Sequence, residues 1–534
     1  MKIRTKKVTI LMLNDIADQF IFDLGKLGII HLEELKEEKY VGFKRKIVRE
    51  KIIYADLINR LNRLANEYKV DLSEIEKNKF EFTGKLNIDK AKKKIKYYED
   101  ILHRLKLEAL SEEAKTEEEK FRDYMDKLNK VKERFKAEAS QLLTHLKYSY
   151  KVSVVEEKLL SSEYITLLQG WIPESEISRF NFFLDDFRKK VSKGIAVFYE
   201  EDEKEFEVEA PVVYKTSKLT EGFASLIRQY GIPSPRDQDP TLLAGLLWSF
   251  MFGFMFADFG EGLVLILLGV YGIISNKKIL GIPLKKAGKL LISGGLFSVI
   301  FGLLVGEFFL TEVEPLFPGL TMGWIEHSEN IIWLLKIAVF IGMIEILVGM
   351  ILNTIKNLRH GEIREALLSE HGVAGIIGYI SFIFIAFMFL GGITIIPGVL
   401  RIDQSTFGTL WYLPFIGFLG GIVLVMLNPI LEGEGAGMGF GVVLETLISY
   451  MANTLSYARL AGFAVAHAAF AVVVETLLKA NLMIGILLGL VFLNAFALTL
   501  EVVIVMIQSL RLTFYEFLTK FYEGQGIPFR PFRL

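Results

Sequence analysis

An arginine stands in the middle of a run of small and apolar residues, Ser456-Tyr-Ala-Arg-Leu-Ala-Gly-Phe-Ala-Val-Ala-His-Ala-Ala-Phe470. The flanking sequence from Phe440 to Leu478 has no proline and few other charges, so it reads as one long membrane helix. An arginine at bilayer depth costs at least ~3 kcal/mol unless it is paired or faces a cavity, and such residues are functional by default. Gly462 and Ala466 follow Arg459 on the same helix face, so another helix can approach the guanidinium closely. The expectation is that the chain holds Arg459 against a partner outside itself. Other polar residues on the last two apolar helices form a candidate ion pathway: Glu445, His467, Glu501, Gln508 and Arg511. Carboxylates and a histidine can bind and release protons, whereas arginine keeps its charge and suits a fixed barrier. Blander readings exist for several of them. Glu445 could sit at a watered helix end, His467 could be a packing residue, and Arg511 could pair with Glu501 or Glu516. Glu475 and Lys479 read as a solvated helix terminus.

The elements that must position these residues divide the 534-residue chain into two parts. Residues 1–235 are rich in Lys and Glu and read as a cytoplasmic anchor domain, and 236–534 as a transmembrane, ion-translocating domain. Pro233, Pro235 and Pro240 break any helix between them. The chain has no cysteine, and no metal or cofactor site is expected. The start of the chain has no apolar core of signal-peptide length, which predicts a cytoplasmic N-terminal half. No GxxxxGK[ST] loop occurs, so the chain is not expected to hydrolyse nucleotide itself.

In the first half, Lys7–Leu13, Ile29–Leu32, Tyr164–Gly170 and Gly194–Glu200 read as strands, and 15–27 and 173–190 as helices, with Gly28 as a C-cap. Two β-α-β units predict an α+β, ferredoxin-like arrangement. Between them, Ile47, Tyr54, Leu57, Leu61, Leu64 and Tyr68 step at heptad spacing, as do Phe121, Tyr124, Leu128, Val131, Phe135 and Leu142. That pattern predicts an antiparallel coiled-coil hairpin, with a helical bundle as the alternative. The second half reads as all-α with about eight spans: 241–257, 259–275, 287–310, 331–354, 370–398, 409–430, 437–479 and 482–522. The last two exceed the ~30 Å hydrocarbon thickness, so they are predicted to be strongly tilted or to project beyond it. Lys277, Lys278, Lys285, Lys286 and Lys289, then Lys356, Arg359 and Arg364, and finally Lys520, Arg530 and Arg533 put the basic loops on one side with both termini. Gly253, Gly260, Gly262 and Gly269 read as helix contacts.

Thr454-Leu-Ser-Tyr-Ala-Arg-Leu-Ala-Gly-Phe-Ala-Val-Ala-His467 resembles the arginine helix of the membrane stator subunit of V-type and A-type rotary ATPases, called subunit a or subunit I. Ser509 to Gly526 is similar to that family's C-terminal signature. Phe252–Gly262 resembles its first membrane hairpin, and Gly170–Pro173 and Tyr230–Pro233 resemble segments of its soluble domain. The resemblance implies that Arg459 is the essential arginine, that His467, Glu501 and Arg511 support it, and that Glu445 is a half-channel carboxylate. Asp258 is given no role, because Ala257 and Glu261 depart from the family pattern. The implied partners are a ring of proteolipid subunits, peripheral stalks, the lipid bilayer and, indirectly, the central stalk and ATPase head. No nucleic acid is expected. The implied setting is a prokaryotic cell membrane. A self-contained transporter or a membrane-anchored scaffold are the competing classes. The first lacks repeats and broken helices, and the second has no use for Arg459, Glu501 and Arg511.

Overall fold

The computed structural model describes residues 2–45, 48–72, 82, 84–111, 117–191, 194–200, 210–214, 217, 220–275, 277–279, 282–313, 328–389, 393–396, 400–402 and 411–534. Ile47, the side chains of Phe121 and Tyr124, and the end of the span expected at 370–398 lie outside the described residues. The chain divides into two compact units, one of Lys2–Val213 with Ile527–Leu534, the other of Tyr214–Gly526.

The first unit is built on a sheet whose central strand, Thr5–Leu13, alternates buried and exposed positions, as a one-sided sheet requires. Ile195–Tyr199, Thr5–Leu13, Ile165–Pro173 and His31–Leu32 lie in that order, each antiparallel to the next. The short strands Lys44–Arg45 and Leu160–Ser161 extend the sheet. The helix Asn14–Leu27 follows the central strand directly and ends where Gly28 takes a left-handed backbone (φ 66°), its N–H donating to the Leu24 carbonyl. Phe20, Phe22, Leu24, Phe180, Leu184 and Phe187 fill the core between this helix, Ile177–Val191 and the sheet. Each buried Phe of this kind is worth about 1.5–3 kcal/mol. The last eight residues return to this core. The Phe532 N–H donates to the Ile30 carbonyl at 2.7 Å, and the Leu534 side chain is 3% exposed.

The expected two-legged hairpin is instead a three-helix bundle of Glu50–Glu67, Ile88–Ser111 and Glu117–Glu156. Tyr54, Leu57, Leu61, Leu64 and Tyr68 meet Ile95, Tyr98 and Leu102 as well as Leu128, Phe135 and Leu142. The reason is aromatic bulk. Phe135 stacks on Tyr68 with ring centroids 4.4 Å apart and meets Tyr98 edge-on at 4.9 Å, so one ring is clasped by two other helices. A two-stranded heptad seam has no room for that. Where the bundle meets the sheet layer, Lys85 lies among Glu156, Glu50 and Asp18, with Nζ–O distances of 3.5 Å to Glu50 and 3.8 Å to Asp18 and a shorter contact to Glu156.

Among the described residues, the second unit has six helices long and apolar enough to cross a membrane: Leu284–Val305, Ile331–Arg359, Ile363–Phe389, Leu413–Glu432, Ala436–Ala480 and Leu482–Lys520. The first two expected spans are the shorter apolar helices Thr241–Met255 and Phe259–Ile274. Lys356 and Arg359, expected in a loop, lie in the last turn of Ser328–Arg359. Helix contacts depend on glycine. A Cβ on Gly253 would come within 2.4 Å of the Phe297 backbone, and one on Gly269 within 2.7 Å of the Gly288 carbonyl. Ala436–Ala480 runs 45 residues, about 68 Å at 1.5 Å per residue, with an irregular turn at Tyr457 between Ala436–Ser456 and Ala458–Ala480. Leu482–Lys520 runs 39 residues and contains three π-helical stretches, Gly485–Leu493, Ala497–Glu501 and Leu512–Phe517. Such stretches are frequent at functional sites because they re-aim the side chains beyond them.

Candidate functional site

Arg459 lies in the first turn after the Tyr457 irregularity. Its Nε donates to the Ser456 carbonyl at 2.9 Å, and its Nη2 donates to Glu516 Oε1 at 2.7 Å. Within the chain it is met by Glu516, fifty-seven positions away in sequence; the partner expected outside the chain is separate from this contact. The last π-helical stretch carries Glu516 and turns its carboxylate toward the arginine helix. Glu516 is buried, while Arg459 keeps 24% of its side chain exposed. That exposure opens onto the face carrying Gly462 and Ala466. Both are exposed, and a Cβ added to Gly462 would meet nothing within 4 Å. Behind the pair lies Glu345, 2% exposed, facing Tyr457 and Glu516. Lys520, also buried, faces Glu370 and Glu516, and its Nζ donates to Ser449 Oγ at 3.2 Å.

Eight positions along, about 12 Å up the helix, His467 is 1% exposed and belongs to a second polar group. Its Nδ1 lies 3.0 Å from Glu501 Oε2, and its Nε2 lies 3.8 Å from Glu307 Oε1. Phe256 covers the imidazole at 5.0 Å between centroids. Glu261 is fully buried and neither of its oxygens has a hydrogen-bond partner. Its electrostatic neighbours are His467, Asp258, Glu501 and Glu307. Asp258 caps the Phe259–Ile274 helix. Its Oδ1 accepts from the Glu261 and Phe309 N–H groups at 2.8 and 3.1 Å, and its Oδ2 accepts from Leu310 N–H at 2.8 Å. Phe309 and Leu310 hold left-handed backbone (φ 50° and 57°), so this carboxylate pins an unfavourable loop conformation.

The residues expected on the pathway thus separate. His467 and Glu501 come together. Glu445 is exposed on the Ala436–Ser456 segment, and Arg511 is exposed and among the described residues ion-pairs with neither Glu501 nor Glu516. Gln508 is half-buried with an unpartnered Oε1. Glu475 and Lys479 pair at 3.0 Å at a solvent-exposed helix end. Sequence reading missed Glu261, Glu307, Glu345 and Glu516. Glu345 carried the same signal as Arg459, a lone ionisable residue in the apolar run Ile341–Met350.

A model of the V-type ATPase 116 kDa subunit family matches residues 157–314 and 443–534. Those blocks contain Asp258, Glu261, Glu307, Glu445, Arg459, His467, Glu501, Gln508, Arg511 and Glu516. The A-type ATP synthase subunit I of Pyrococcus horikoshii is 26% identical over 440 residues, covering 78% of this chain and 62% of that protein. That of Pyrococcus abyssi is 27% identical over 397 residues, covering 70% and 54%. That of Saccharolobus solfataricus is 25% identical over 576 aligned residues, covering 95% and 76%. The chain spans between half and two thirds of the length of the two Pyrococcus relatives.

Proposed function

We propose that the chain, which is similar to the V-type ATPase 116 kDa subunit family over residues 157–314 and 443–534 and to A-type ATP synthase subunit I, is the membrane stator of a rotary ATPase. It forms two ion half-channels and an arginine barrier against a rotating proteolipid ring, and so couples proton or sodium translocation to ATP hydrolysis or synthesis. One observation carries this reading: Arg459 lies within the long apolar helix Ala436–Ala480 beside an unfilled face of Gly462 and Ala466, so a charge-bearing partner can reach it. In lipid, a ring carboxylate must be neutral, because a bare charge there is prohibitive. On leaving lipid it loses its proton into one half-channel and meets Arg459, whose charge never titrates away. It is then neutralised from the other half-channel. The Arg459–Glu516–Glu345 group and the His467–Glu501–Glu307 group lie at different heights on the arginine helix and line the two half-channels, with Glu445, Gln508 and Arg511 along the exposed route. The last two long helices lie steeply tilted, giving the ring a broad face.

Eight spans, counting Thr241–Met255 and Phe259–Ile274, put both termini on the cytoplasmic side of a prokaryotic cell membrane. The first unit, read as ferredoxin-like from its strand order, anchors the stator to peripheral stalks through the helical bundle. The chain holds no nucleotide site and acts as one component of the larger ATPase. The test is ATP-driven ion uptake by reconstituted complex carrying Arg459→Ala. Uptake is expected to vanish while the complex stays assembled, and normal uptake by an assembled variant sinks the reading.

A further inference from the structure

We infer that Asp258, Glu307 and His467 form a binding site for a divalent metal ion of the Zn²⁺ class. One donor atom from each lies within 4.8 Å of the other two, and His467 Nε2 lies 3.8 Å from Glu307 Oε1, a separation that two ligands of one ion can have. All three side chains are more than nine-tenths buried. Among the described residues, none of Asp258, Glu261, Glu307 and Glu501 is ion-paired with a lysine or an arginine. Four carboxylates and one imidazole share this enclosed space, and a cation bound there would offset their charge in place of protons.

A second observation points to a metal and is independent of the acidic cluster. The His467 Nε2 has no hydrogen-bond partner and is aimed at Glu307 Oε1, while Nδ1 sits 3.0 Å from Glu501 Oε2. A ligating histidine is built this way. A carboxylate accepts from the N–H on one ring nitrogen and leaves a lone pair on the other for the metal. Glu261, fully buried with both oxygens unpartnered among the described residues, adds negative charge beside the three ligands. One imidazole nitrogen with carboxylate oxygens suits Zn²⁺. Mg²⁺ and Ca²⁺ prefer oxygen ligands alone. Asp258 can serve while still capping its helix, since Oδ2 accepts only one described hydrogen bond.

The inference does not need the rotary reading, because the ion is detected without transport. Full-length chain in detergent, stripped with a chelator, is dialysed against Zn²⁺, and the bound metal is counted against the chain. Wild type is expected to hold one equivalent more than His467→Gln or Glu307→Gln, with the Kd for that ion raised at least ~10-fold in each variant. X-ray absorption on wild type alone guards against misfolded variants. It is expected to show a low-coordinate nitrogen and oxygen shell at about 2.0–2.1 Å. Equal zinc in wild type and both variants, or a six-oxygen shell, overturns the site. If the site holds, Zn²⁺ lowers ATP-driven ion uptake in wild type and leaves it unchanged in His467→Gln complex relative to the zinc-free variant. If zinc binds but uptake is insensitive, the site stands and its placement on the transport path falls.

Discussion

Around Arg459 the charge is permanent and partly open to the outside. Glu516 meets the guanidinium at 2.7 Å, Lys520 stands behind it, and 24% of the arginine side chain is exposed beside Gly462. Around His467 nothing is permanent and nothing is open. Four carboxylates enclose an imidazole that is 1% exposed. The first group has room for a second carboxylate beside Glu516, because the Gly462 face is open. The second group can only gain or lose a small cation, because no side chain can enter it. Under the proposed function the first group is a contact site and the second a passage, and experiments can act on one group and spare the other.

The largest effect is expected from Arg459→Ala, which removes the fixed charge. ATP-driven uptake falls to background, and Arg459→Lys fares no better, because an ammonium lacks the planar fork that can hold Glu516 and a second carboxylate together. The check is uptake by reconstituted complex alongside the zinc count, which stays at the wild-type value because Arg459 does not touch the His467 group.

Gly462→Leu comes next. A Cβ at that position meets nothing within 4 Å, so the chain itself loses little stability. The leucine fills the face on which the ring is proposed to run, and uptake drops by at least ~10-fold if close approach sets the arginine–carboxylate contact. Measuring the melting temperature of the purified chain beside uptake by the complex separates the two effects. Unchanged uptake would mean that the open face is not the contact.

Glu516→Gln is expected to act more weakly. It leaves Arg459 charged but without its partner in the chain. A double-mutant cycle of Arg459→Gln and Glu516→Gln reads their coupling, expected at about 1–3 kcal/mol because the guanidinium is partly exposed. Coupling near zero would show that the pair only fills space, and the contrast between the two groups would then weaken.

Much of this was legible in the sequence, and the failures share a cause. The position of Arg459 came from local composition, and the helix Asn14–Leu27 with its Gly28 cap came from periodicity and backbone sterics. His467 and Glu501 were both flagged, though nothing in their spacing said that they touch. The pairing of Arg459 with Glu516 depends on the π-helical stretch Leu512–Phe517, which shifts the helix phase in a way a regular 3.6-residue count cannot anticipate. Glu307 falls inside the span expected at 287–310 but lies just past the end of the observed helix Leu284–Val305, and only the fold sets it against His467. The third helix of the bundle was hidden because heptad counting registers apolar positions but not that Phe135 must fit between two tyrosines.

The smallest effect on transport, and the sharpest control for the comparison, lies in the first unit. Lys85 is a buried cation facing three carboxylates, Glu156, Glu50 and Asp18, the reverse of the His467 group in having a permanent charge at its centre. Burial alone would lower its pKa, but the Glu156 carboxylate, helped by Asp18 and Glu50, more than offsets this and holds it above the ordinary lysine value of 10.5. Lys85 therefore binds its proton more tightly in the folded than in the unfolded chain. Its contribution to stability is fully present below pH 10.5 and is lost as pH rises through the folded value. Lys85→Met leaves Glu156 buried without its cation and is expected to destabilise the first unit by about 3 kcal/mol at pH 7. The gap between wild type and variant, followed by calorimetry, should narrow as pH climbs above the lysine range, because wild type then loses the same charge. A gap that stays constant to high pH would mean that the lysine acts through its apolar stem rather than its charge. Zinc binding at His467 should be the same in wild type and variant throughout.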